Sequence, residues 1–110
     1  STMSGVTMPL PTVAATLTAI GGKWTPLILF HLKQRPHRFN ELHRLIPDAT
    51  RRMLTLHLRS LETHGVIERH ELRKVPPAVE YVLSARGRRL TPILDAMEAW
   101  GAEGAGTAGE

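Results

Sequence analysis

The stretch from Phe39 to Glu62 reads FNELHRLIPDATRRMLTLHLRSLE and decides the fold of this 110-residue chain. It begins as a short amphipathic segment, with Asn40 as a predicted helix N-cap. That segment ends before Pro47, because a residue that precedes proline disfavours helical geometry. Residues 48–49 supply a tight turn, and Thr50 is the predicted N-cap of a second, longer helix. Two helices joined by so short a turn predict a helix-turn-helix, whose second helix enters the major groove of DNA.

The second helix is predicted to run from Thr50 to His64, with Gly65 as its stop. At about 100° per residue, Leu54, Leu58 and Leu61 share one side, which we interpret as the core face. The other side and its flanks carry groups that can bond base edges or phosphates, and the N-terminal turns of such a helix make the base contacts. The predicted DNA contacts here are Arg38 ahead of the short helix, Thr50, the base-reading candidates Arg51, Arg52, Thr55 and Leu56, and Arg59, which we assign to phosphate.

Two β-rich segments, residues 66–72 and 79–83, follow this helix and predict an antiparallel hairpin. Between them lies RKVPPA at residues 73–78, whose two prolines exclude a tight two-residue turn. We therefore predict a wing with a basic, proline-stiffened tip. Arg73 and Lys74 at this tip are predicted to contact the adjacent minor groove or its phosphates.

Apolar residues at helical spacing predict three further helices. The first covers residues 12–20 and is followed by a Gly-Gly break. Residues 23–32 are apolar over most of the helix circumference and predict a buried central helix. A last helix, capped by Ser84, is predicted from residue 85 to about residue 100. The fold class is therefore mainly α with a small β-hairpin (α+β), arranged as a winged helix-turn-helix.

The chain length allows one domain with a single modest core, and we assign it to residues 9–101. Residues 1–8 are mostly small and polar, so we predict a flexible N-terminus. Residues 102–110 are Gly/Ala-rich with almost no apolar bulk, so we predict a disordered tail.

Composition and charge restrict the function class. Between Lys33 and Arg89 there are 13 basic and 6 acidic residues, a net charge of +7, which is the electrostatic footprint of a polyanion-binding domain. None of the 110 residues is a cysteine, which excludes thiolate metal ligands and thiol redox switching by these residues. We find no apolar run of membrane-spanning length and no signal peptide, so we expect a cytoplasmic protein, nucleoid-associated through DNA, with no membrane partner.

Five short motifs occur in order, namely IGGKW at 20–24, LIL at 27–29, RFNEL at 38–42, RMLT at 52–55, and VPP followed by VEY within 75–81. Over residues 9–101 the chain thereby resembles the HxlR family of bacterial winged helix-turn-helix regulators. The resemblance implies a homodimer whose first and last helices pack across a two-fold axis on a pseudo-palindromic operator. Many members carry a Cys just before a Pro near the N-terminus, and some use it to sense electrophiles or oxidants. Leu10 and Pro11 occupy that place here, so this mechanism does not carry over, and Leu56 stands where the family often has a polar residue.

The terminal helices give a second reason to expect a homodimer. They carry more apolar residues than a small core needs, and such residues suggest a subunit interface, although they can also cover their own core. An unidentified small-molecule effector is a further partner that the sequence allows, acting by changing the spacing of the two recognition helices. The residues assigned to a ligand pocket or to the dimer interface are Leu17, Trp24, Met97 and Trp100.

Other function classes fit less well. The carboxylates are scattered, and no nucleophile, nucleotide loop or phosphate cradle is recognisable, so we expect no enzyme, no catalytic residue and no cofactor. A metal-sensing module would use the histidine pairs 37/43 and 64/70, but neither pair has a Cys or carboxylate at ligand spacing, so we assign no metal site. A winged helix that binds only proteins usually lacks outward arginines such as Arg52 and Arg73.

Overall fold

Five helices and one β-hairpin make up the computed structural model, which describes residues 9–108 and the side chains of residues 11–104. The elements in chain order are α1 (Pro9–Ile20), α2 (Thr25–Gln34), α3 (Phe39–Leu45), α4 (Arg51–Thr63), β1 (Ile67–Arg73), β2 (Ala78–Leu83) and α5 (Ala85–Ala108). The predicted fold class, mainly α with a small hairpin, is confirmed. The predicted flexible segment 1–8 lies outside the described residues.

The core lies where α2, α3 and α4 meet the base of the hairpin. Its largest fully buried side chains are Ile28, Leu29, Leu32, Leu42, Leu54, Leu58 and Leu61. The last three confirm the predicted core face of α4. Burying such a side chain is worth about 1.5–3 kcal/mol. These leucines therefore fix which side of α4 faces the core and leave the opposite side exposed.

Local hydrogen bonds fix the turn between α3 and α4. The side chain of His43 donates from Nε2 to the carbonyl oxygen of Ala49 over 3.0 Å, and the Ala49 N–H donates to the carbonyl of Ile46 over 3.2 Å. Thr50 is the N-cap of α4, as predicted, because its Oγ1 accepts from the N–H of Met53 over 3.1 Å. Hydrogen bonds from His43 on α3 and within the turn therefore fix its conformation, and the Thr50 cap fixes the residue at which α4 starts.

The start of α3 differs from the prediction. The helix begins at Phe39, and Arg38 is the N-cap instead of Asn40. The physical reason is the carboxylate of Glu41, whose Oε1 accepts from the backbone N–H of Arg38 over 2.8 Å. That bond satisfies an N-terminal donor two residues earlier than expected and places Asn40 inside the first turn.

The two strands pair in antiparallel register, from Ile67 opposite Leu83 to Arg73 opposite Ala78. An irregularity between Glu71 and Arg73 precedes the tip, which is a four-residue turn at 74–77. His37 makes an isolated bridge to Tyr81, with backbone bonds of 3.1 and 2.7 Å in the two directions. This bridge ties the loop before α3 to the hairpin.

Ser84 and Gly87 lock the start of α5 onto the hairpin. Ser84 is the N-cap, as predicted, since its Oγ accepts from the Gly87 N–H over 2.9 Å and donates to the carbonyl of Val66 over 3.0 Å. A Cβ on Gly87 would lie 2.1 Å from that same Val66 oxygen. Only glycine allows the helix to start this close to the strand backbone.

The end of α5 corrects the prediction for residues 102–110. The helix continues to Ala108, so the predicted disorder does not hold for residues 102–108. Alanine is the best helix former, and no proline follows Pro92 to stop the helix. Residues 95–104 are all exposed, and the Cα radius of gyration is 16.6 Å, whereas a compact 110-residue domain has about 13 Å. The second half of α5 therefore projects from the core.

Among residues 9–108, no single helix is both long enough and apolar enough to cross a membrane. Residues 11–20 and α2 pass that test only as a pair, which is bent by 75°.

Candidate nucleic-acid interface

The exposed side of α4 presents a stripe of residues opposite the buried leucines. Arg52, Leu56 and Arg59 share this side at helical spacing, and all three are exposed. Within the part of the chain that the structure describes, the guanidinium groups of Arg52 and Arg59 make no hydrogen bond or ion pair. Five N–H donors on each guanidinium are therefore available to an external acceptor.

Arg51, the other arginine in the first turn, is held against α3. Its Nη2 donates to Oδ1 of Asn40 over 2.8 Å, and its guanidinium carbon lies 5.0 Å from the ring centroid of Phe39. That ring also stacks with the imidazole of His43, at 6.5 Å between centroids. Arg51 was predicted to read bases, but in this structure it joins α4 to α3.

The two threonines at the start of α4 use their hydroxyls differently. Thr55 donates from Oγ1 to the Arg51 carbonyl over 2.8 Å, so its only hydroxyl proton is already used. Thr50 accepts at Oγ1 from Met53, so its hydroxyl proton is still available. Thr50 can therefore donate to a phosphate oxygen, whereas Thr55 can offer a ligand only an acceptor.

The wing tip places Arg73 and Lys74 next to an apolar turn. Arg73 folds back over the tip, with Nε donating to the carbonyl of Pro76 over 3.0 Å. Lys74 is exposed and has no ion-pair partner among the described residues. Val75 beside it is 88% exposed, which makes it the most exposed large apolar side chain in the described region. The tip thus presents the ammonium group of Lys74 and the exposed apolar side chain of Val75 to solvent.

Arg38 has an exposed side chain and uses only its backbone in the cap of α3. That backbone N–H, followed by the charge of Arg35, holds the pKa of the Glu41 carboxyl below its ordinary value and outweighs the opposing effect of burial. The nearest Arg35 nitrogen lies 3.7 Å from Glu41 Oε1. The loop before α3 therefore exposes the Arg38 guanidinium to solvent while its backbone is fixed.

The structure groups the nine predicted DNA contacts into three sets. Arg38 lies before α3, and Arg73 and Lys74 lie at the wing tip. The other six lie on α4 or at its N-cap, namely Thr50, Arg51, Arg52, Thr55, Leu56 and Arg59. No hydrogen bond among the described residues joins one set to another. The contact between Arg51 and Asn40 could not be predicted from the sequence, because the two residues are eleven positions apart. Whether their side chains meet depends on how the turn orients α3 and α4.

The four residues assigned to a pocket or interface do not come together. A groove of about 660 Å³ lies between α2 and α5, and Leu27, Phe30, Leu94 and Met97 are among its walls. Trp100 joins Met97 in a second groove along α5, and neither groove includes Leu17 or Trp24. Leu27 and Phe30 are exposed, so α2 is buried on one side, whereas a buried central helix, apolar over most of its circumference, was predicted.

The histidines predicted as candidate metal pairs have partners within the protein. His37 and His64 donate from Nδ1 to the carbonyls of Arg35 and Ser60, each over 2.8 Å. His43 bonds the turn before α4, as described above, and His70 lies 2.8 Å from Glu68. Residues 9–108 contain no group of three or more His, Cys, Asp or Glu side chains placed to hold a metal ion.

A family model described as HxlR-like helix-turn-helix matches residues 19–107. The chain belongs to the HxlR family. It is 54% identical over 90 residues to the HTH-type transcriptional regulator YtcD of Bacillus subtilis (strain 168), covering 82% of this chain and 71% of that protein. It is 48% identical over 92 residues to an HTH-type transcriptional regulator of Methanothermobacter thermautotrophicus, covering 84% and 70% of the two chains.

Solved structures agree with this assignment. The crystal structure of YtcD matches with a TM-score of 0.78 at 52% identity, covering 86% of this chain and 96% of that chain. The redox regulator HypR in its reduced form matches with a TM-score of 0.78 at 46% identity, covering 84% and 91%. A MarR-family transcriptional regulator from Enterococcus faecalis V583 matches with a TM-score of 0.79 at 32% identity, covering 90% of each chain.

The HxlR-family protein is therefore a DNA-binding transcriptional regulator with a winged helix-turn-helix fold, as the sequence predicted. Transcriptional regulators of this family are not a class of enzymes. HypR is a redox regulator, so fold similarity alone does not support the prediction that this protein works without thiol chemistry. That prediction depends on the sequence, in which none of the 110 residues is Cys.

Proposed function

We propose that the HxlR-family protein binds a pseudo-palindromic operator as a homodimer, with α4 of each subunit in the major groove. The observation that carries this proposal is the division of α4 into a face of three buried leucines and an opposite face with unpaired arginines. A helix fixed in this way can enter a groove without losing its own packing.

Each predicted contact has a role that follows from its surroundings. Arg52 is free in the first turn, so it is the residue that bonds a guanine edge bidentately. Arg51 positions α4 through Asn40 and offers its remaining donors to the DNA backbone. Thr50 and Arg59 bond phosphates, and Thr55 serves as an acceptor or a packing contact beside them.

The wing and the loop before α3 provide the outer contacts. Lys74 and Arg73 lie at the tip, where a basic hairpin reaches the adjacent minor groove or its phosphates. Arg38 contacts the DNA backbone from the loop before α3. Contacts of this kind set the orientation of the protein on the duplex and the salt dependence of its affinity.

The dimer interface is proposed along α1 and α5. Val13 and Leu17 lie four residues apart on α1, and Ile93, Met97 and Trp100 follow the same helical spacing on α5. All five are about half exposed or more, and Trp100 is 77% exposed. Two apolar stripes on helices at the two ends of the chain suit an isologous two-fold interface, which also explains why α5 projects from the core.

Regulation is proposed to come from a small-molecule effector and not from thiol oxidation. The groove between α2 and α5 has a volume within the range of ligand sites, and it shares Met97 with the proposed interface. A ligand there would shift α5 and thereby the spacing of the two α4 helices. Because the partner is chromosomal DNA, the proposed location is the cytoplasm.

Selection from random-sequence duplexes tests this function directly. The purified protein is taken through several rounds of selection, and the enriched duplex is then titrated across a salt series. We expect the enriched sequence to be a pseudo-palindrome whose half-sites lie about one helical turn, or a multiple of it, apart. Weak binding with a steep salt slope and no enriched sequence would overturn the proposal, since it would reflect only non-specific attraction to phosphate.

A further inference from the structure

Leu56 is an apolar side chain on the face of α4 that otherwise carries arginines. It is 49% exposed and lies four residues after Arg52 and three before Arg59, so all three share one side of the helix. An exposed leucine is ordinary elsewhere on a protein surface. Here it stands between two unpaired guanidinium groups, on the surface that the proposed function places in the major groove.

The polar neighbours of Leu56 are already committed within the protein. Arg51 bonds Asn40, and the hydroxyl proton of Thr55 bonds the Arg51 carbonyl. In the first two turns of α4, this leaves Arg52 as the arginine with no partner among the described residues. Two large apolar side chains are exposed there, Met53 at 41% and Leu56 at 49%. Of these two, Leu56 lies on the same side of the helix as Arg52 and Arg59.

Major-groove chemistry decides what Leu56 can recognise. Base edges present hydrogen-bond donors and acceptors there, and the apolar group among them is the 5-methyl of thymine. A leucine pressed on any other edge would remove polar atoms from water without replacing their hydrogen bonds, which is unfavourable. Packing on a methyl group costs no such bond and buries apolar surface on both partners.

We infer that Leu56 is a specificity residue that selects thymine in each half-site by packing on its 5-methyl group. This inference rests on the proposed function, because it requires α4 to lie in the major groove. Four residues of helix advance about 6 Å, and base pairs stack about 3.4 Å apart. The selected thymine is therefore expected about two base pairs from the guanine bonded by Arg52.

Deoxyuridine provides the test, since it differs from thymidine only by the missing methyl group. Each thymine of the selected operator is replaced in turn by deoxyuridine, and the affinity of the whole protein is measured by fluorescence anisotropy. The same duplexes are titrated with Leu56→Ala, and with Leu45→Ala as a matched control. Leu45 is 46% exposed but lies at the end of α3, outside α4.

We expect one thymine in each half-site to contribute to the affinity through its methyl group. Removing its methyl should weaken wild-type binding about fourfold, which corresponds to burying one methyl-sized group. Leu56→Ala should bind the thymine and deoxyuridine duplexes equally, whereas Leu45→Ala should keep the wild-type difference. Both variants change exposed side chains, so we expect them to fold, which circular dichroism checks.

Two results would overturn the inference. One is a wild-type protein that binds every deoxyuridine duplex as tightly as its thymine counterpart. The other is a Leu56→Ala protein that keeps the full methyl dependence. Either result leaves the proposed function intact, because a specific operator has still been found. Failure to select any operator would instead overturn the proposed function and this inference together.

Discussion

Arg51, the first residue of α4, donates a hydrogen bond from Nη2 to Oδ1 of Asn40 on α3 over 2.8 Å. The same guanidinium lies 5.0 Å from the ring centroid of Phe39. The two helices of the motif are therefore joined by a polar and a cation–π contact outside the core. The angle at which α4 would enter a groove depends on this side-chain pair as well as on buried leucines.

The Arg51–Asn40 bond should have a measurable coupling energy. Arg51→Ala, Asn40→Ala and the double variant form a cycle, and urea denaturation gives the free energy of unfolding of each protein. An exposed pair of this kind is worth about 0.5–1 kcal/mol. Protein concentration must be held fixed, because dimerisation changes apparent stability. Additive single effects would show that the contact does not hold the helices together.

Gly87 should tolerate no side chain. In Gly87→Ala the Cβ would lie 2.1 Å from the Val66 oxygen and 3.1 Å from Leu83 Cδ2, so the start of α5 must move. We expect a loss of roughly 2–4 kcal/mol in the free energy of unfolding, because overpacking and backbone strain add. Gly104→Ala is the matched control in the same helix, since beyond its chain neighbours and the adjacent helix backbone no atom lies within 4 Å of its added Cβ.

The control should change stability in the other direction. Alanine is better than glycine in an exposed helix by up to about 1 kcal/mol, so Gly104→Ala should leave the protein unchanged or slightly more stable. Thermal and urea unfolding measure both variants. Equal effects of the two substitutions would be incompatible with the close approach between α5 and Val66.

His31 should make stability depend on pH below neutrality. Burial, and after it the charge of His37, lowers the pKa of His31 from its ordinary value of 6.5. Between the folded pKa and 6.5, the unfolded chain binds a proton that the folded chain does not. The stability that depends on a neutral His31 is therefore fully present above pH 6.5. It is lost as the pH falls from 6.5 through the folded-state pKa of His31.

His31→Gln should reduce this loss. The measurement is the urea midpoint of the wild type and of the variant at several pH values between about 7 and 5. The variant should show a smaller decrease in stability over that interval. A slope identical to that of the wild type would mean that burial of His31 does not perturb its titration.

Trp100 should decide the oligomeric state. Trp100→Glu places a charge on the apolar stripe of α5, where the proposed partner helix would bury it at considerable cost. The side chain is largely exposed in one subunit, so the substitution should not unfold the protein. Sedimentation velocity should find a dimer for the wild type and a monomer for Trp100→Glu. Val75→Glu at the wing tip is the control and should remain a dimer.

Much of the fold could be predicted because the relevant information is local. Leu54, Leu58 and Leu61 repeat at the period of a helix, so their common face follows from geometry alone. Thr50 and Ser84 have the side chains that N-caps require, and both caps are confirmed. Periodicity and capping chemistry are properties of neighbouring residues, and they are visible in one sequence.

The missed features depend on competition or on distance. Asn40 is a good N-cap, but Glu41 satisfies the backbone N–H of Arg38 and moves the start of α3. The partner of Arg51 became visible only when the turn brought two helices together. The Gly/Ala composition of residues 102–108 suggested disorder, yet the backbone there continues the helix that precedes it.

Arg52→Ala shows whether the outward face of α4 recognises base sequence, on which the proposed function depends. Affinity is measured for the wild type and the variant on the selected operator and on duplexes changed at each guanine, at one salt concentration. We expect Arg52→Ala to lose about 1–3 kcal/mol of binding free energy on the operator and no longer to distinguish one particular guanine. Unchanged affinity, or an equal loss on every sequence including unrelated DNA, would contradict it.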